Sequence, residues 1–329
     1  MKPYHFLLEI LRKVYLKFGG KPIISADGQF RENIIFETNI KSDYEDIIQN
    51  LLSGKTPIMI ARFGSIELDC FNNWRLICYP ELFNHNEHFS WINYIMDRVY
   101  PSWIGLRSIN GMANNAGFFP SNEKNILQWG YVYNDAYCNL DVLLSWQNNE
   151  KYLGWEGAKI PMHYVTYPFL YENPWTTVLK DKRVLVISPF SKSIEHQYKK
   201  RKMLFENSNI LPDFKLITMQ SYNVLRGKNH SDSNSWFEAL DRMCKQMNEI
   251  EFDIALIGCG AYAFPLASYA KTIGKKAITL CGGIQLLFGI YGNRWERFLI
   301  EKRILNKYWI RPIDEKPEGF EKVENSAYW

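Results

Sequence analysis

The sequence of 329 residues is 47% hydrophobic and 22% charged, proportions that are typical of a globular protein and exclude extensive disorder. Residues 1–22 contain five Lys or Arg and one Glu, so they carry the whole net charge of +4 and the rest of the chain is balanced. This balance argues against a nucleic-acid-binding protein, whose basic excess normally lies on the folded domain.

The cellular location is predicted from three further features. The sequence has no run of about 18 apolar residues, so no membrane-spanning helix is expected. The six cysteines form no CxxC pair and are expected to be reduced, and no small-residue cleavage site follows the N-terminal apolar patch. We therefore expect a cytoplasmic protein, in the cytosol or at the inner face of the cell membrane.

Residues 3–18 have the apolar spacing of an amphipathic helix whose basic residues lie mostly off the apolar face. Such a helix can lie on an anionic membrane, so it predicts peripheral membrane contact. Packing against the rest of the protein or dimerisation would explain the same pattern. We divide the chain into this basic helix over 1–22, one folded domain over 23–311, and a C-terminal surface extension over 312–329.

The stretch 57–69, PIMIARFGSIELD, is the clearest local pattern in the first half of the chain. Its apolar residues 57–61 predict a buried strand, after which Gly64 predicts a turn into a helix. Elsewhere in this half, the patterns predict helices over 43–52, 87–100 and 122–133, a strand over 103–109, and a loop over 111–120. Residues 150–180 show no clear period.

The second half of the chain has four short, continuous apolar runs, at 183–188, 214–219, 252–258 and 276–281. Helical patterns alternate with them at about 192–207, 235–250, 262–274 and 292–305. Continuous apolar strands between helices indicate a parallel sheet that is covered on both faces. The predicted fold class is therefore α/β, with a Rossmann-like, doubly wound, mostly parallel sheet that the strand at 57–61 joins.

A ligand of such a sheet binds beyond the carboxyl ends of the strands, so the segments after the strands predict the site. Glycine turns that enter helices can bind a diphosphate through free backbone N–H groups. Two aromatic residues, Phe190 and Tyr262, could stack on a base. The candidate binding residues are Ser188, Phe190, Lys192, Ser193, Gly258, Gly260, Tyr262, Gly282, Gly283 and Gln285. Tight packing between strand and helix would explain each glycine as well, and neither a dinucleotide nor a P-loop fingerprint is present.

The turn after the strand at 57–61 carries Arg62, Glu67 and Asp69. Charges of both signs at the carboxyl end of a strand are typical of catalytic positions in α/β enzymes. An ordinary ion pair between Arg62 and Glu67 is the alternative. In the loop over 111–120, Asn114 and Asn115 either bind sugar hydroxyls or only form a turn.

Three stretches together resemble the GT-D type of bacterial glycosyltransferases, enzymes that build surface polysaccharides and glycoprotein glycans. They are ARFGSIEL, ISPFSKSIEHQ and IGCGAYAFPLASYAKTIGKKAITLCGGIQLLFGIYGNRW, and the resemblance extends over about residues 55–300. It implies a Rossmann-like domain that transfers a sugar from a nucleotide-sugar donor to a glycan acceptor, lipid-linked or protein-linked. Two alternatives are another transferase of polysaccharide assembly, moving a phosphate-linked or pyruvyl group, and an inactive scaffold of the same fold.

The signature of this family is R-F-G-D-x-E, whose Asp-x-Glu pair holds a divalent metal, Mn or Mg, on the donor diphosphate. In this chain Glu67 matches the second acid, while Ser65 replaces the first. The resemblance thus implies a metal held by Ser65 and Glu67, or stabilisation of the leaving group by Arg62, Lys192 and the glycine turns without a metal. As catalytic residues it implies Arg62 and Glu67, with Glu67 as the candidate general base.

Overall fold

The computed structural model describes residues 44–79, 106–222, 233–312, 315 and 326–329, together with Ile10, Val14, Lys17 and Phe18. The predicted helix over 87–100 lies outside the described residues, as does the helix over 3–18 apart from those four. No helix formed by the described residues is long and apolar enough to cross a bilayer.

The described residues form a seven-stranded sheet with the order β3-β2-β1-β7-β6-β4-β5, and every neighbouring pair is parallel. The strands are β1 (Ile58–Ala61), β2 (Val142–Ser145), β3 (Ala158–Pro161), β4 (Arg183–Ser188), β5 (Lys215–Gln220), β6 (Ile254–Ile257) and β7 (Lys276–Thr279). Strand β1 lies centrally, with its Ile60 opposite Val142 of β2 and Ile278 of β7. The predicted Rossmann-like α/β fold is confirmed.

Helices connect these strands and cover both faces of the sheet. They are α1 (Tyr44–Ser53), α2 (Ser65–Cys78), α3 (Leu106–Asn115), α4 (Glu123–Cys138), α5 (Met162–Thr166), α6 (Ser191–Tyr198), α7 (Trp236–Glu249), α8 (Ala263–Thr272), α9 (Gly283–Leu287) and α10 (Asn293–Glu301). Short 3₁₀ helices lie at Asn148–Leu153, Pro168–Leu170, Trp175–Leu179, Arg201–Met203 and Gly260–Tyr262. Local capping helps to begin α4, where the Asn122 side chain accepts a hydrogen bond of 2.9 Å from the Asn125 backbone N–H.

Successive residues of the strands belong to two different hydrophobic cores. Met59 and Ala61 of β1 lie in the core that includes α2, α4 and α8, while Ile58 and Ile60 lie in the opposite core with α1 and α9. Because side chains alternate across a strand, this division shows that both faces are covered. It explains why these strands appear in the sequence as continuous apolar runs.

The strand predicted over 103–109 is wrong for its described part, because residues 106–115 form helix α3. The loop predicted over 111–120 therefore begins inside that helix. The apolar residues Ile109 and Met112 are three positions apart, a helical spacing, and both pack on the core. Gly111 lets α3 approach α2 closely, since a Cβ there would lie 3.2 Å from Ile66.

The C-terminal residues 326–329 differ from the predicted surface extension. Ala327 and Trp329 are both buried. The Trp329 ring packs edge-on against Phe190 at 5.8 Å between centroids, and its carbonyl accepts a hydrogen bond from the Asn293 N–H. These contacts bring the C-terminal residues to the carboxyl edge of the sheet.

Candidate active site

A cavity opens at the carboxyl edge of the sheet. Among the described residues, segments that follow six of the seven strands line it, all except the segment after β3. This is the place where a doubly wound parallel sheet binds its ligands. The turn after the central strand β1 lies in the lining, together with the turns after β6 and β7.

The turn after β1 is held by hydrogen bonds from both neighbouring strands. The Arg62 N–H donates to Thr279 Oγ1 of β7 at 2.9 Å. On the other side, the Phe63 carbonyl accepts from Trp146 Nε1 at 2.9 Å and from Gln147 Nε2 at 3.2 Å, both just after β2. With the Phe63 ring fully buried in the aromatic core, the turn has one well-defined position.

Gly64 makes room for the carboxylate of Glu67. A Cβ on Gly64 would overlap this carboxylate, which folds back over the start of α2 and accepts a hydrogen bond from the Glu67 backbone N–H. Only 7% of Glu67 is exposed. Gly64 has an ordinary extended backbone, so the need for glycine here is spatial and not conformational.

Burial raises the pKa of the Glu67 carboxyl, and the neighbouring Asp69 adds to the rise. The Glu67 backbone N–H and the positive charge of Arg62 act in the opposite direction without cancelling it. A carboxylate with a raised pKa is a stronger base than an ordinary glutamate and is suited to proton abstraction near neutral pH.

The two neighbouring candidates of the same helix have different surroundings. Ser65 lines the cavity with Glu67. Asp69 does not line it, and its Oδ1 accepts a hydrogen bond of 3.1 Å from Asn149 Nδ2. Asp69 therefore does not share the surroundings of Ser65 and Glu67, although it lies only two residues after Glu67 on the same helix.

The Arg62 guanidinium lies in the cavity wall, beside an aromatic ring and a methionine sulfur. Its Cζ lies 4.9 Å from the centre of the Trp146 ring, and Nη1 donates to the sulfur of Met162. Burial by itself lowers the pKa of Arg62, but the adjacent Cys281 thiol reverses the direction, so the group keeps its charge. The buried Nε makes no hydrogen bond within the described residues.

Of the candidate residues, the structure brings together a set of nine around the cavity. They are Arg62, Ser65, Glu67, Phe190, Gly258, Gly260, Tyr262, Gly282 and Gln285. Asn115 also lines the cavity, at the end of α3, whereas Asn114 does not. The roles of these residues stay predictions.

Four candidates do not line the cavity. The Ser188 hydroxyl accepts a hydrogen bond from the Phe190 N–H at 3.2 Å and so shapes the turn after β4. The N–H groups of Lys192 and Ser193 donate to the carboxylate of Glu315, at 2.8 and 3.2 Å, so these N–H groups are bound by a side chain of the protein. A Cβ on Gly283 would lie 2.5 Å from the Thr166 methyl group.

The glycines of the cavity also serve close packing. A Cβ on Gly258 would overlap the Cys281 carbonyl oxygen, and one on Gly282 would lie 2.7 Å from the Trp295 ring. Gly260 has a φ of +58°, a left-handed conformation that favours glycine. Tight packing between strand and helix therefore explains the glycines in these turns. The same residues, having no side chain, also leave the cavity open.

Besides Arg62 Nε, three polar groups in the cavity lining are buried and lack a hydrogen-bond partner within the described residues. They are the Ser221 hydroxyl, the Tyr262 hydroxyl and Gln285 Oε1. Buried polar atoms are normally satisfied, so these atoms indicate that a ligand or water completes them. The Tyr262 ring stacks on Trp236 with centroids 5.3 Å apart and planes at 16°, so Tyr262 offers its hydroxyl, not a free ring face.

Sequence reasoning missed several lining residues, among them Trp146, Ser221, Arg294 and Tyr328. Trp146 is positioned by the buried Glu150, whose carboxylate accepts from the Trp146 N–H at 3.0 Å and from the Ser145 hydroxyl at 2.5 Å. Arg294 belongs to the GNRW segment of the resemblance but has no local mark of a site. These residues are far apart in the sequence, and only the tertiary fold brings them to one cavity.

The donor set of the cavity does not fit a divalent metal held by the protein. The described residues contain no group of three or more His, Cys, Asp or Glu side chains that could hold a metal ion. In the described cavity lining, Glu67 is the one acidic side chain, and it is directed onto its own helix start. A magnesium ion at a phosphate site is usually held by one or two carboxylates that point at it, together with the substrate phosphates, and the single carboxylate here points elsewhere. The hydroxyl of Ser65 is a weak substitute for the missing acid.

Comparison with protein families found one match. Residues 147–286 match the GT-D-like family, described as a GT-D fold-like domain. The matched range begins just after β2 and continues beyond β7, so it contains the turns at 258–260 and 282–283. It does not contain the turn that carries Arg62 and Glu67. Searches of curated proteins and of solved structures found no match.

Proposed function

We propose, for a chain whose residues 147–286 match the GT-D-like family, that the protein is a glycosyltransferase with a nucleotide-sugar donor. The observation that carries this proposal is the pairing of a buried carboxylate with an incompletely bonded guanidinium in one cavity. Glu67 supplies the carboxylate and Arg62 the guanidinium. The acceptor we propose is a lipid-linked or protein-linked glycan of bacterial surface polysaccharide or glycoprotein assembly.

In the proposed reaction, the bond between the sugar C1 and the diphosphate oxygen breaks as the acceptor oxygen bonds to C1. The electron pair of the broken bond stays on the nucleoside diphosphate, whose added negative charge is stabilised by Arg62. The proton of the glycan hydroxyl passes to the carboxylate of Glu67. The raised pKa of Glu67 makes this carboxylate a suitable general base.

The buried polar atoms of the lining give the donor further partners. Among the described residues, no donor reaches Gln285 Oε1, and the hydroxyls of Ser221 and Tyr262 have no partner, so each can bind a base or a sugar. Phe190 lies beside them. Its ring already packs edge-on against Trp329, so an added base would extend an existing aromatic contact.

A binding and hydrolysis panel tests this function. Thermal unfolding is measured with UDP, GDP, CDP and dTDP, with and without Mn²⁺, and the slow hydrolysis of the corresponding nucleotide sugars is followed by chromatography. We expect one diphosphate to raise the unfolding temperature, because a ligand at a hundred times its Kd stabilises the folded state by about 2.7 kcal/mol. The matching nucleotide sugar is expected to release its sugar to water.

Two results would count against the proposal. If no diphosphate changes the unfolding temperature and no nucleotide sugar is hydrolysed, the protein is an inactive scaffold of this fold. If a nucleotide binds but the activated group that turns over carries a phosphate or pyruvyl unit, the reaction is a different transfer on the same fold.

A further inference from the structure

The charges that line the cavity are those of an anion site without a metal. Glu67 is the one acidic side chain in the described lining, and Ser65 stands where a second acid would complete a metal site. Asp69 is directed to Asn149 and does not line the cavity. Two arginines line the same space, Arg62 from the turn after β1 and Arg294 from the first turn of α10.

Arg62 is held so that its charge faces a ligand. Its backbone is bound to Thr279, and its guanidinium lies 4.9 Å from the Trp146 ring centre, which leaves little freedom to turn. The buried Nε–H has no acceptor among the described residues. A buried guanidinium donor without an acceptor is costly in the free protein, and a phosphate oxygen is an acceptor that matches it.

Arg294 also lines the cavity and is held there by aromatic side chains, beside the turn after β7. Its Cζ lies 4.9 Å from the Tyr328 ring centre and 5.8 Å from that of Trp295, and its Nη1 donates to the Tyr328 hydroxyl at 3.1 Å. Gly282 makes this arrangement possible, since a Cβ there would lie 2.7 Å from Trp295 and 2.9 Å from Tyr328.

We propose that Arg62 and Arg294 together replace a divalent metal in this protein and bind the donor diphosphate directly. The inference rests on the proposed glycosyltransferase function and assigns Arg294 a role that the sequence does not indicate. Two guanidinium groups supply the same formal charge as one divalent ion. Their planar donors also match phosphate oxygens in pairs, which a lysine does not do.

Titration calorimetry of the full chain with the diphosphate identified by the panel tests the inference. Kd is measured in EDTA and in Mn²⁺ for the wild type, Arg294→Gln and the control Arg297→Gln. Arg297 lies on the same helix, is 92% exposed in its side chain, pairs with Glu301 and does not line the cavity. We expect the wild-type Kd to agree within twofold in EDTA and Mn²⁺, Arg294→Gln to weaken binding at least tenfold, and Arg297→Gln to bind as the wild type does.

A gain of metal response provides the reverse test. Ser65→Asp restores the acid of the Asp-x-Glu pair, so binding by this variant is expected to tighten when Mn²⁺ replaces EDTA. Thermal unfolding of each variant in the absence of nucleotide shows that a change in Kd is not a loss of fold.

Three outcomes would overturn the inference. Wild-type binding that requires Mn²⁺ would do so, and so would an unchanged Kd for Arg294→Gln, while both would leave the proposed function intact. Absence of binding for every diphosphate, with and without Mn²⁺ and in every variant, would instead remove the proposed function and the inference with it.

Discussion

Replacement of Glu67 by glutamine separates the chemistry of this carboxylate from its place in the fold. Glutamine has nearly the same volume and keeps an oxygen that can accept the backbone N–H, so no hole is formed at the start of α2. The change removes the proton acceptor from a cavity whose described lining contains no other carboxylate. General-base catalysis contributes about 10²–10⁴-fold, so we expect kcat to fall by that factor, equivalent to about 3–5 kcal/mol.

The stability of Glu67→Gln is expected to move the other way. The raised pKa of Glu67 means that the folded protein binds this proton more tightly than the unfolded chain, so the charged group lowers stability as pH rises above the ordinary value of 4.5. At pH 7 the variant carries no such charge. Its free energy of unfolding is therefore expected to equal or exceed that of the wild type.

The assay is initial-rate transfer or donor hydrolysis, combined with urea unfolding at pH 5 and pH 7. Asp69→Asn serves as the matched control, because it removes an acid two residues along the same helix that binds Asn149 outside the cavity. The wild-type kcat/KM should also fall on the acid side at a pH above 4.5. A kcat for Glu67→Gln within threefold of the wild type, or a variant much less stable than the wild type, would refute this reasoning.

Two further predictions concern stability. Gly130→Ala places a Cβ onto the ring of Trp74, which is fully buried, so we expect the free energy of unfolding in urea to fall by about 1–3 kcal/mol. The control Gly54→Ala, whose Cβ would approach nothing closer than 3.5 Å, should change this free energy by less than about 0.5 kcal/mol. Equal values for the two variants would contradict the packing argument. The hydrogen bonds from Arg183 lower the pKa of Asp253, so its stabilisation is present above the ordinary value of 3.8 and is lost as pH falls through the lowered pKa. Asp253→Asn is therefore expected to lower the free energy of unfolding by at most about 1 kcal/mol at pH 7, because the carboxylate is 35% exposed and screened by solvent. Unfolding measured as a function of pH should show this difference shrink below pH 4. A difference that stays constant with pH would exclude the ion pair as its cause.

Five of the strands, β1 and β4 to β7, were predictable because burial in the sheet leaves a direct mark on the sequence, whereas β2 and β3 were not predicted. The four central residues of RVLVIS and all the residues of β6 are apolar without alternation, which is a pattern that few other structures share. Helix α3 was not predictable in the same way. Its residues Ile109 and Met112 stand next to an apolar stretch that resembles a strand, and its burial depends on contact with Ile66, far away in the chain.

The sequence by itself determined the fold class and the order of strand, glycine turn and helix around β1, where Gly64 and Glu67 are three residues apart at the start of one helix. The tertiary structure alone decided what faces them. Trp146 and Arg294 reach the cavity because strand order, not distance along the chain, sets the neighbours at the carboxyl edge. The same holds for Glu315, which binds the N–H groups of the candidate binding residues Lys192 and Ser193. Contacts between distant segments leave no periodicity in a sequence, so the partners of a site emerge only once the chain has folded.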